Sequence, residues 1–308
     1  MHLPPCDGDP YITDGGIETT LIFDYGLDLP NFASFVLLDS PQGMAALRRY
    51  FQTYTDLAVS LGVGMVLESP TWRANPDWGR MLGYSLNALA DIDHRAVSLM
   101  EEFRAQLDEH GLDSVISGDL GPRGDGYIPS ARMTANEAAD YHRPQIDAFA
   151  GTEADVISVL TMNYIEEATG IALAAHDARM PVVVSFTVET DGRLPTGDPL
   201  GRAIEEVDAA TGGYPAYYMI NCAHPTHVLA DQAGSASWQK RVRGLRANAS
   251  SMSHTELNES TALDQGDLSS FGALHASLNR EFPHLSVVGG CCGTDHRHVE
   301  LACRAVFS

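Results

Sequence analysis

The sequence predicts an α/β protein, a (β/α)8 barrel of the TIM type that forms a single domain over residues 1–308. Short apolar, β-branched runs alternate with helical patterns, and eight such strand–helix units can be counted. With 308 residues, 44% of them hydrophobic, the chain can bury one large core, and α/β barrels run to about 250 residues as one domain. An open doubly wound sheet is the competing architecture, because it shows the same alternation.

Eight segments have the composition of buried parallel strands. In chain order they are Tyr11–Thr13, Val63–Leu67, Ser114–Ser117, Val156–Val159, Pro181–Phe186, Tyr217–Ile220, Val242–Leu245 and Ser286–Val288. The clearest helix spans about Asn87 to Glu109, where apolar residues recur at helical spacing. Two stretches, Gly197 to Gly213 and Asn248 to Asp267, are predicted to be longer loops or partial lids. In a barrel the reactive groups follow the carboxyl ends of strands, so function is expected at that face.

Composition limits the partners of the chain. Lysine and arginine number 19 against 41 aspartate and glutamate residues, and the net charge of −22 repels nucleic acid and anionic lipid. The sequence contains no run of about 20 apolar residues and no basic start followed by an apolar run, as a membrane helix or a signal peptide would require. We therefore expect a cytoplasmic protein without nucleic-acid or membrane partners. The sequence gives no indication of an oligomeric state.

The cysteines are odd in number and widely spread, which is a poor disulfide framework and predicts thiols. They are Cys6, Cys222, Cys291, Cys292 and Cys303. The adjacent pair lies within Gly289–Thr294, whose sequence is Gly-Gly-Cys-Cys-Gly-Thr, directly after the last predicted strand. Glycines let the backbone turn tightly, so that neighbouring thiolates can face one centre. The alternative is a glycine-rich turn with two buried cysteines that pack as small hydrophobic residues.

Cys222 stands at the end of the sixth predicted strand, and in a barrel the ends of strands six and eight are near neighbours. Three thiols can then meet. Three cysteine ligands with an open fourth position describe a catalytic zinc site, whereas a fourth ligand from His224 or His296 would close it into a structural one. Zinc suits the chemistry of thiols because coordination removes their proton outright.

With these motifs the chain resembles the homocysteine S-methyltransferase family along nearly its whole length. In that family the zinc cysteines come as Asn-Cys after strand six and as Gly-Gly-Cys-Cys-Gly after strand eight, which Cys222, Cys291 and Cys292 match. Further matching stretches are Asp14-Gly15-Gly16 with Glu18, Gly121-Pro122, Ser185-Phe186-Thr187 and Asp191-Gly192-Arg193-Leu194. The resemblance implies a (β/α)8 barrel, a Zn²⁺ cofactor and methyl transfer from a small, sulfonium-type donor to a thiol such as homocysteine, giving methionine.

The resemblance also implies a set of substrate contacts. Asp14, Gly15 and Gly16 would cradle the amino-acid end of homocysteine, and Ser69 would make a second contact to its carboxylate. Taken alone, Asp14 is equally a turn residue that caps the two glycines. Glu68 is either a solvated loop acid or a partner for the substrate ammonium.

One position departs from the family pattern. After strand four the family usually carries a glutamate that binds the substrate ammonium, and here Leu160 stands in its place. An ammonium buried beside leucine would lose a charge-assisted hydrogen bond and its hydration. Either the amino group is bound elsewhere or the substrate is a thiol other than homocysteine. The local candidates for binding it are Glu68, Asn163 and Glu189.

Trp72 and Trp78 lie in one predicted loop, where their faces could receive a cationic sulfonium donor or simply pack over the barrel mouth.

The sequence alone leaves two functions of other classes open. One is a hydrolase or lyase in which zinc activates water, and the other is a non-catalytic zinc module. A match to the family at five separate places favours the methyltransferase.

Overall fold

The computed structural model describes residues 3–129, 132–230, 237–260 and 262–307. Eight parallel strands pair in chain order and the first pairs with the last, so the barrel is closed. The strands are β1 Tyr11–Ile12, β2 Gly64–Glu68, β3 Ser114–Leu120, β4 Val156–Met162, β5 Val182–Phe186, β6 Tyr217–Asn221, β7 Val242–Ala247 and β8 Val287–Gly290. The predicted (β/α)8 fold is confirmed and the open sheet is excluded. A single domain over all of residues 1–308 stays a prediction.

Helices alternate with the strands and form the outer layer. They are α1 Ile17–Thr19, α2 Pro41–Leu61, α3 Pro76–Met81, α4 Leu86–Glu109, α5 Ala135–Ala150, α6 Ile165–Ala178, α7 Leu200–Thr211, α8 Pro225–Val228, α9 His254–Glu259, α10 Leu268–Glu281 and α11 His296–Phe307. Shorter 3-10 or π turns span Pro4–Asp7, Thr20–Asp24, Pro30–Phe32, Ser34–Asp39 and Ser237–Arg241. In the described ranges no helix has the length and apolar character needed to cross a membrane.

Two of the predicted segments show why local sequence succeeds or fails. The helix expected from about Asn87 to Glu109 is α4, and the side chain of Ser85 caps its first turn. The long loop expected over Gly197 to Gly213 is wrong, because most of it is α7. Its buried face, Leu200, Ala203, Ile204 and Val207, has the i, i+3, i+4, i+7 spacing of an amphipathic helix.

Alternating side chains divide the apolar core into an outer and an inner part. On β4, Ile157 and Val159 belong to the outer core between barrel and helices, whereas Val156 and Leu160 belong to a smaller cluster inside the barrel. Successive residues of a strand point to opposite faces, so the inner cluster takes every second residue of the strands.

The same alternation places charged side chains inside the barrel at its carboxyl end. On β2, Glu68 shares the inward face of Val66, and on β3 Asp119 shares that of Val115. Arg246 of β7 is buried with them, and all three charged residues are at most 6% exposed. Apolar residues therefore fill the lower barrel, and charged groups line the floor of its mouth.

Candidate metal centre and substrate cavity

Three cysteine sulfur atoms meet at the carboxyl end of the barrel. Cys222 directly follows β6, Cys291 and Cys292 directly follow β8, and the three Sγ atoms lie within 4.8 Å of one another. Across the described ranges, neither a histidine nor a carboxylate joins this cluster. Three sulfur ligands with room for a fourth atom is the arrangement of an open, catalytic type of metal site.

The two histidines considered as a fourth ligand, His224 and His296, lie outside the cluster. His224 contacts Thr226 through Nδ1 at 2.7 Å and caps α8, and burial lowers its pKa to about 4. His296 is exposed at the start of α11. The hypothesis of a structural site closed by either histidine is therefore wrong for this arrangement.

The sulfur atoms of Cys222 and Cys291 are in contact, because the ends of β6 and β8 approach closely and leave the two Cα atoms 5.4 Å apart. Only the thiolate form of cysteine binds a metal ion, so metal binding by all three cysteines requires protein that is kept reduced.

Asn221 fixes the backbone from which Cys222 projects. Its Oδ1 accepts hydrogen bonds from the Thr161 amide at 2.8 Å and the Ser185 hydroxyl at 2.6 Å, and its Nδ2 donates to Thr161 Oγ1 at 2.8 Å. Thr161 and Cys222 both adopt left-handed backbone conformations, with φ of 61° and 54°. The buried side-chain amide of Asn221 thus connects the carboxyl ends of β4, β5 and β6 by hydrogen bonds. This explains why an asparagine directly precedes Cys222.

Close backbone packing explains the glycines on either side of the cysteines. A Cβ on Gly290 would lie 2.0 Å from Thr294 Oγ1 and 3.1 Å from the Cα of Gly15. A Cβ on Gly16 would lie 2.5 Å from the carbonyl oxygen of Cys291. The turns after β1 and β8 can interlock only because these positions have no side chain.

Two aromatic residues that were not predicted from the sequence, Tyr127 and His254, contact the cysteine cluster. The Tyr127 hydroxyl hydrogen-bonds to Cys292, whose pKa is raised by burial to about 11. His254 stacks on Tyr127 with ring centroids 3.6 Å apart, and its Nε2 donates to the carbonyl oxygen of Cys222 at 2.7 Å. Its Nδ1 lies 3.1 Å from Glu189. Tyr127 lies in the loop after β3 and His254 begins α9, and neither carries a motif, so only their convergence in the fold reveals them.

A cavity of about 400 Å³ opens over the cysteines. Its walls include five of the six residues predicted to bind substrate, Asp14, Gly15, Gly16, Glu68 and Ser69. Asn163 is not among the lining residues, because its Nδ2 donates instead to the carbonyl oxygens of Asp125 and Gly126. It supports the loop that carries Tyr127.

Arg246 occupies the floor of the cavity and pairs with both predicted substrate acids. Its Nη2 lies 2.5 Å from Asp14 Oδ1, its Nη1 contacts Glu68 Oε2, and its Nε donates to the Gly290 carbonyl at 3.0 Å. The Tyr50 hydroxyl donates to the second oxygen of Asp14 at 2.8 Å. Burial raises the pKa of Glu68 to about 8 although Arg246 opposes the rise. Arg246 was not predicted to be a site residue, because in the sequence it is an ordinary charged residue within a strand.

Arg73 corrects the hypothesis about the two tryptophans. Its guanidinium carbon lies 4.2 Å from the ring centroids of both Trp72 and Trp78. The protein's own cation therefore occupies the place where a sulfonium donor was expected, and its charge repels a second cation there.

An eight-stranded barrel with a reactive cluster and a cavity at the carboxyl ends of its strands defines an α/β-barrel enzyme. Residues 11–306 match the family model described as homocysteine S-methyltransferase. The chain belongs to this family and is an S-methyltransferase, as the resemblance in its sequence predicted.

Solved structures agree on the fold. The metallated form of the homocysteine methyltransferase MmuM from Escherichia coli has a TM-score of 0.71 and 19% identity, with 96% of each chain covered. The oxidized form of MmuM has a TM-score of 0.70 and 18% sequence identity, with 96% of this chain and 94% of that chain covered. The apo form of MmuM has a TM-score of 0.57 and 18% sequence identity, with 96% of each chain covered. None of the curated proteins compared matches the sequence.

Proposed function

We propose that this enzyme transfers a methyl group from a small sulfonium donor to the sulfur of a thiol such as homocysteine, giving methionine. Zn²⁺ would be held by Cys222, Cys291 and Cys292. The observation that carries the proposal is the meeting of three cysteine sulfurs within 4.8 Å under a cavity of about 400 Å³. Family membership and the metallated form of the bacterial homocysteine methyltransferase support it.

The donor set fits the proposed metal. Three thiolates suit Zn²⁺, and among the described residues nothing fills the fourth position. When bound, zinc would supply a deprotonated, electron-rich substrate sulfur at neutral pH. The acceptor sulfur then forms a bond to the methyl carbon as the bond from that carbon to the donor sulfur breaks. The donor sulfur keeps the bonding pair and leaves as a neutral thioether.

The residues of the chain orient the reactants and limit water. Tyr127 holds the Cys292 sulfur by its hydroxyl, and His254 holds the backbone of Cys222. Phe23 and Leu257 add apolar surface to the cavity wall. Placing two reactants in line can lower the barrier by about 7–11 kcal/mol, so positioning is a sufficient role for these groups.

A screen of isotopically labelled methyl donors against a panel of thiols, with reduced and zinc-loaded protein, tests the proposal. We expect label to pass from one donor to one thiol, and a cobalt-substituted protein to change its visible spectrum when that thiol enters the metal shell. Turnover of a single substrate without methyl transfer would indicate a hydrolase or lyase instead.

Substitution of the cysteines tests the ligand assignment. Cys291→Ser should remove most of the bound metal and lower activity by more than about 100-fold, because even residues beyond the ligands are worth 10–100-fold. Cys303→Ala is the matched control, since Cys303 is a buried cysteine in α11 outside the cluster. Metal analysis of the purified variants is the measurement. Equal losses in both variants would contradict the assignment.

A further inference from the structure

The structure leaves none of the predicted ammonium-binding groups available for a substrate. Glu68 is paired with Arg246, Glu189 is paired with a histidine, and the side-chain amide of Asn163 donates to two backbone carbonyls. Leu160 lines the cavity and carries no charge. A substrate with an amino group needs a different partner.

Glu18 is a carboxylate in the cavity wall with no cation of its own. It lies in α1, two residues after Gly16, which packs against the Cys291 carbonyl, and its Oε1 accepts a hydrogen bond from the Ser34 hydroxyl at 2.8 Å. In the described ranges no basic nitrogen lies within 4.0 Å of it. The next residue of α1, Thr19, accepts a hydrogen bond from the Gly293 amide at 3.2 Å, so α1 lies against the turn that carries Cys291 and Cys292.

Arg73 is the complementary group in the same cavity. Its Nη1 donates to the Gly124 carbonyl at 2.7 Å, but its Nε is buried and has no hydrogen-bond partner in the described structure. No carboxylate among the described residues lies within 4.0 Å of its guanidinium, which the two tryptophans hold in place. Burial lowers the pKa of Arg73, and among the charges that oppose this shift that of Asp125 is the largest and that of Glu18 is smaller. Asp125 makes no ion pair with Arg73, because its Oδ1 accepts hydrogen bonds from the amides of Tyr127 and Ile128, so the guanidinium can still pair with the anionic group of a ligand.

We propose that Glu18 and Arg73 form a subsite for a zwitterionic α-amino acid group, with Glu18 binding the ammonium and Arg73 the carboxylate. The proposal rests on the proposed function, since the sulfur of that substrate would lie at the cysteine cluster. Homocysteine has two methylene groups between sulfur and α-carbon, and Glu18 lies in the wall of the same cavity as Cys292. The amino acid group belongs either to the thiol acceptor or to an amino-acid sulfonium donor.

Two variants, Glu18→Gln and Arg73→Met, test the contribution of each charged side chain separately. Glu18→Gln keeps the shape and an acceptor for Ser34, and it should raise KM for the amino-acid substrate about tenfold or more while kcat changes little. The thiol without the amino group, 4-sulfanylbutanoate, should be affected by Glu18→Gln less than about twofold. Arg73→Met should instead discriminate against homocysteine relative to 3-sulfanylpropan-1-amine, which lacks the carboxylate. Glu166→Gln, on an exposed residue of α6, is the control and should leave every constant unchanged.

The same measurements show whether the amino acid group belongs to the thiol acceptor or to the sulfonium donor. An increase in KM for the thiol assigns the subsite to the acceptor, and an increase in KM for the sulfonium assigns it to the donor. Equal losses with homocysteine and both truncated thiols, or a loss of thermal stability in Glu18→Gln that accounts for the kinetic effect, would overturn the proposal.

Calorimetric binding of homocysteine and of methionine to the reduced, zinc-loaded protein gives a second readout that needs no turnover. Binding to the wild type that both variants weaken about tenfold supports the subsite even if no methyl transfer is found, in which case only the proposed function has failed. Unchanged binding in both variants would overturn the subsite even in an active methyltransferase.

Discussion

The guanidinium of Arg246 balances the carboxylates of Asp14 and Glu68 in the floor of the cavity. Removing one partner of a buried ion pair leaves an uncompensated charge, so Arg246→Met should lower the free energy of unfolding by about 3–5 kcal/mol at pH values above the pKa of about 8 of Glu68. The loss should shrink as the pH falls, because the abandoned carboxylates then take up protons. Urea unfolding at several pH values measures both effects.

Arg304→Met is the control for that variant. Arg304 pairs with Glu300 on the surface of α11 with 59% of its side chain exposed, and such pairs are worth about 0–1 kcal/mol. If the two variants lost equal stability, the balance of charge assigned to Arg246 would be contradicted.

The difference between Cys291 and Arg246 shows what a sequence can reveal about a site. Adjacent cysteines among glycines form a local pattern whose chemistry is restricted, so the cluster could be predicted before the fold was known. Arg246 acquires its role only from Asp14 and Glu68, which lie far from it in the chain. Long-range pairing of this kind leaves no local pattern, and the same holds for Arg73.

At the scale of elements, the turn after β8 interlocks with the turn after β1. Gly290→Ala would place a Cβ 2.0 Å from the Thr294 hydroxyl, which itself donates to the Cys291 carbonyl at 2.7 Å. We expect a loss of about 1–3 kcal/mol from this overpacking. Because the strain is applied directly to Cys291, metal affinity should fall as well. Urea unfolding and a zinc titration measure the two losses.

Gly272→Ala supplies the matched control for the turn. Gly272 lies inside α10, where an added Cβ would have its nearest neighbour at 3.6 Å, an ordinary contact. Alanine should raise stability there by about 0.5–1 kcal/mol through helix propensity and leave metal affinity unchanged. A comparable loss of metal in this variant would show that the turn after β8 has no special role.

The strands were predictable because both of their faces are buried, which restricts them to apolar and β-branched residues. The helix α7 was missed because glycine and proline at its borders, including Pro199 and Gly212, outweighed four apolar residues at helical spacing. Closure depends on the pairing of β8 with β1, a strand of two residues. That contact joins the two ends of the chain, and no local composition encodes it.

At the scale of the whole molecule, buried ionisable groups make opposing contributions to stability as the pH changes. Glu68, with a pKa raised to about 8 by burial, holds a proton more tightly in the folded protein than in the unfolded chain. Its contribution to stability therefore grows as the pH falls from about 8 toward its ordinary pKa of about 4.3. Buried histidines act in the other direction, so the net profile of the wild type does not identify any one group.

His275 in α10 allows the contribution of one buried histidine to the pH dependence of stability to be measured separately from the others. Its side chain is fully buried, Nδ1 donates to the Phe271 carbonyl at 2.8 Å, and burial lowers its pKa to about 4. Between an unfolded pKa of about 6.5 and that value, the unfolded chain binds a proton that the folded protein excludes. This linkage removes about 3 kcal/mol of stability across the window and nothing above it.

His275→Met should therefore flatten the decline in unfolding free energy between pH 6.5 and 4 by about that amount relative to the wild type, whatever its effect at pH 7. Urea unfolding at half-unit steps measures the difference, in which contributions from Glu68 and other groups cancel. His176→Met is the control, because His176 is 62% exposed on α6 and its replacement should leave the slope unchanged. If His275→Met kept the wild-type slope, the histidine would have to be charged, or already exposed, in the folded protein.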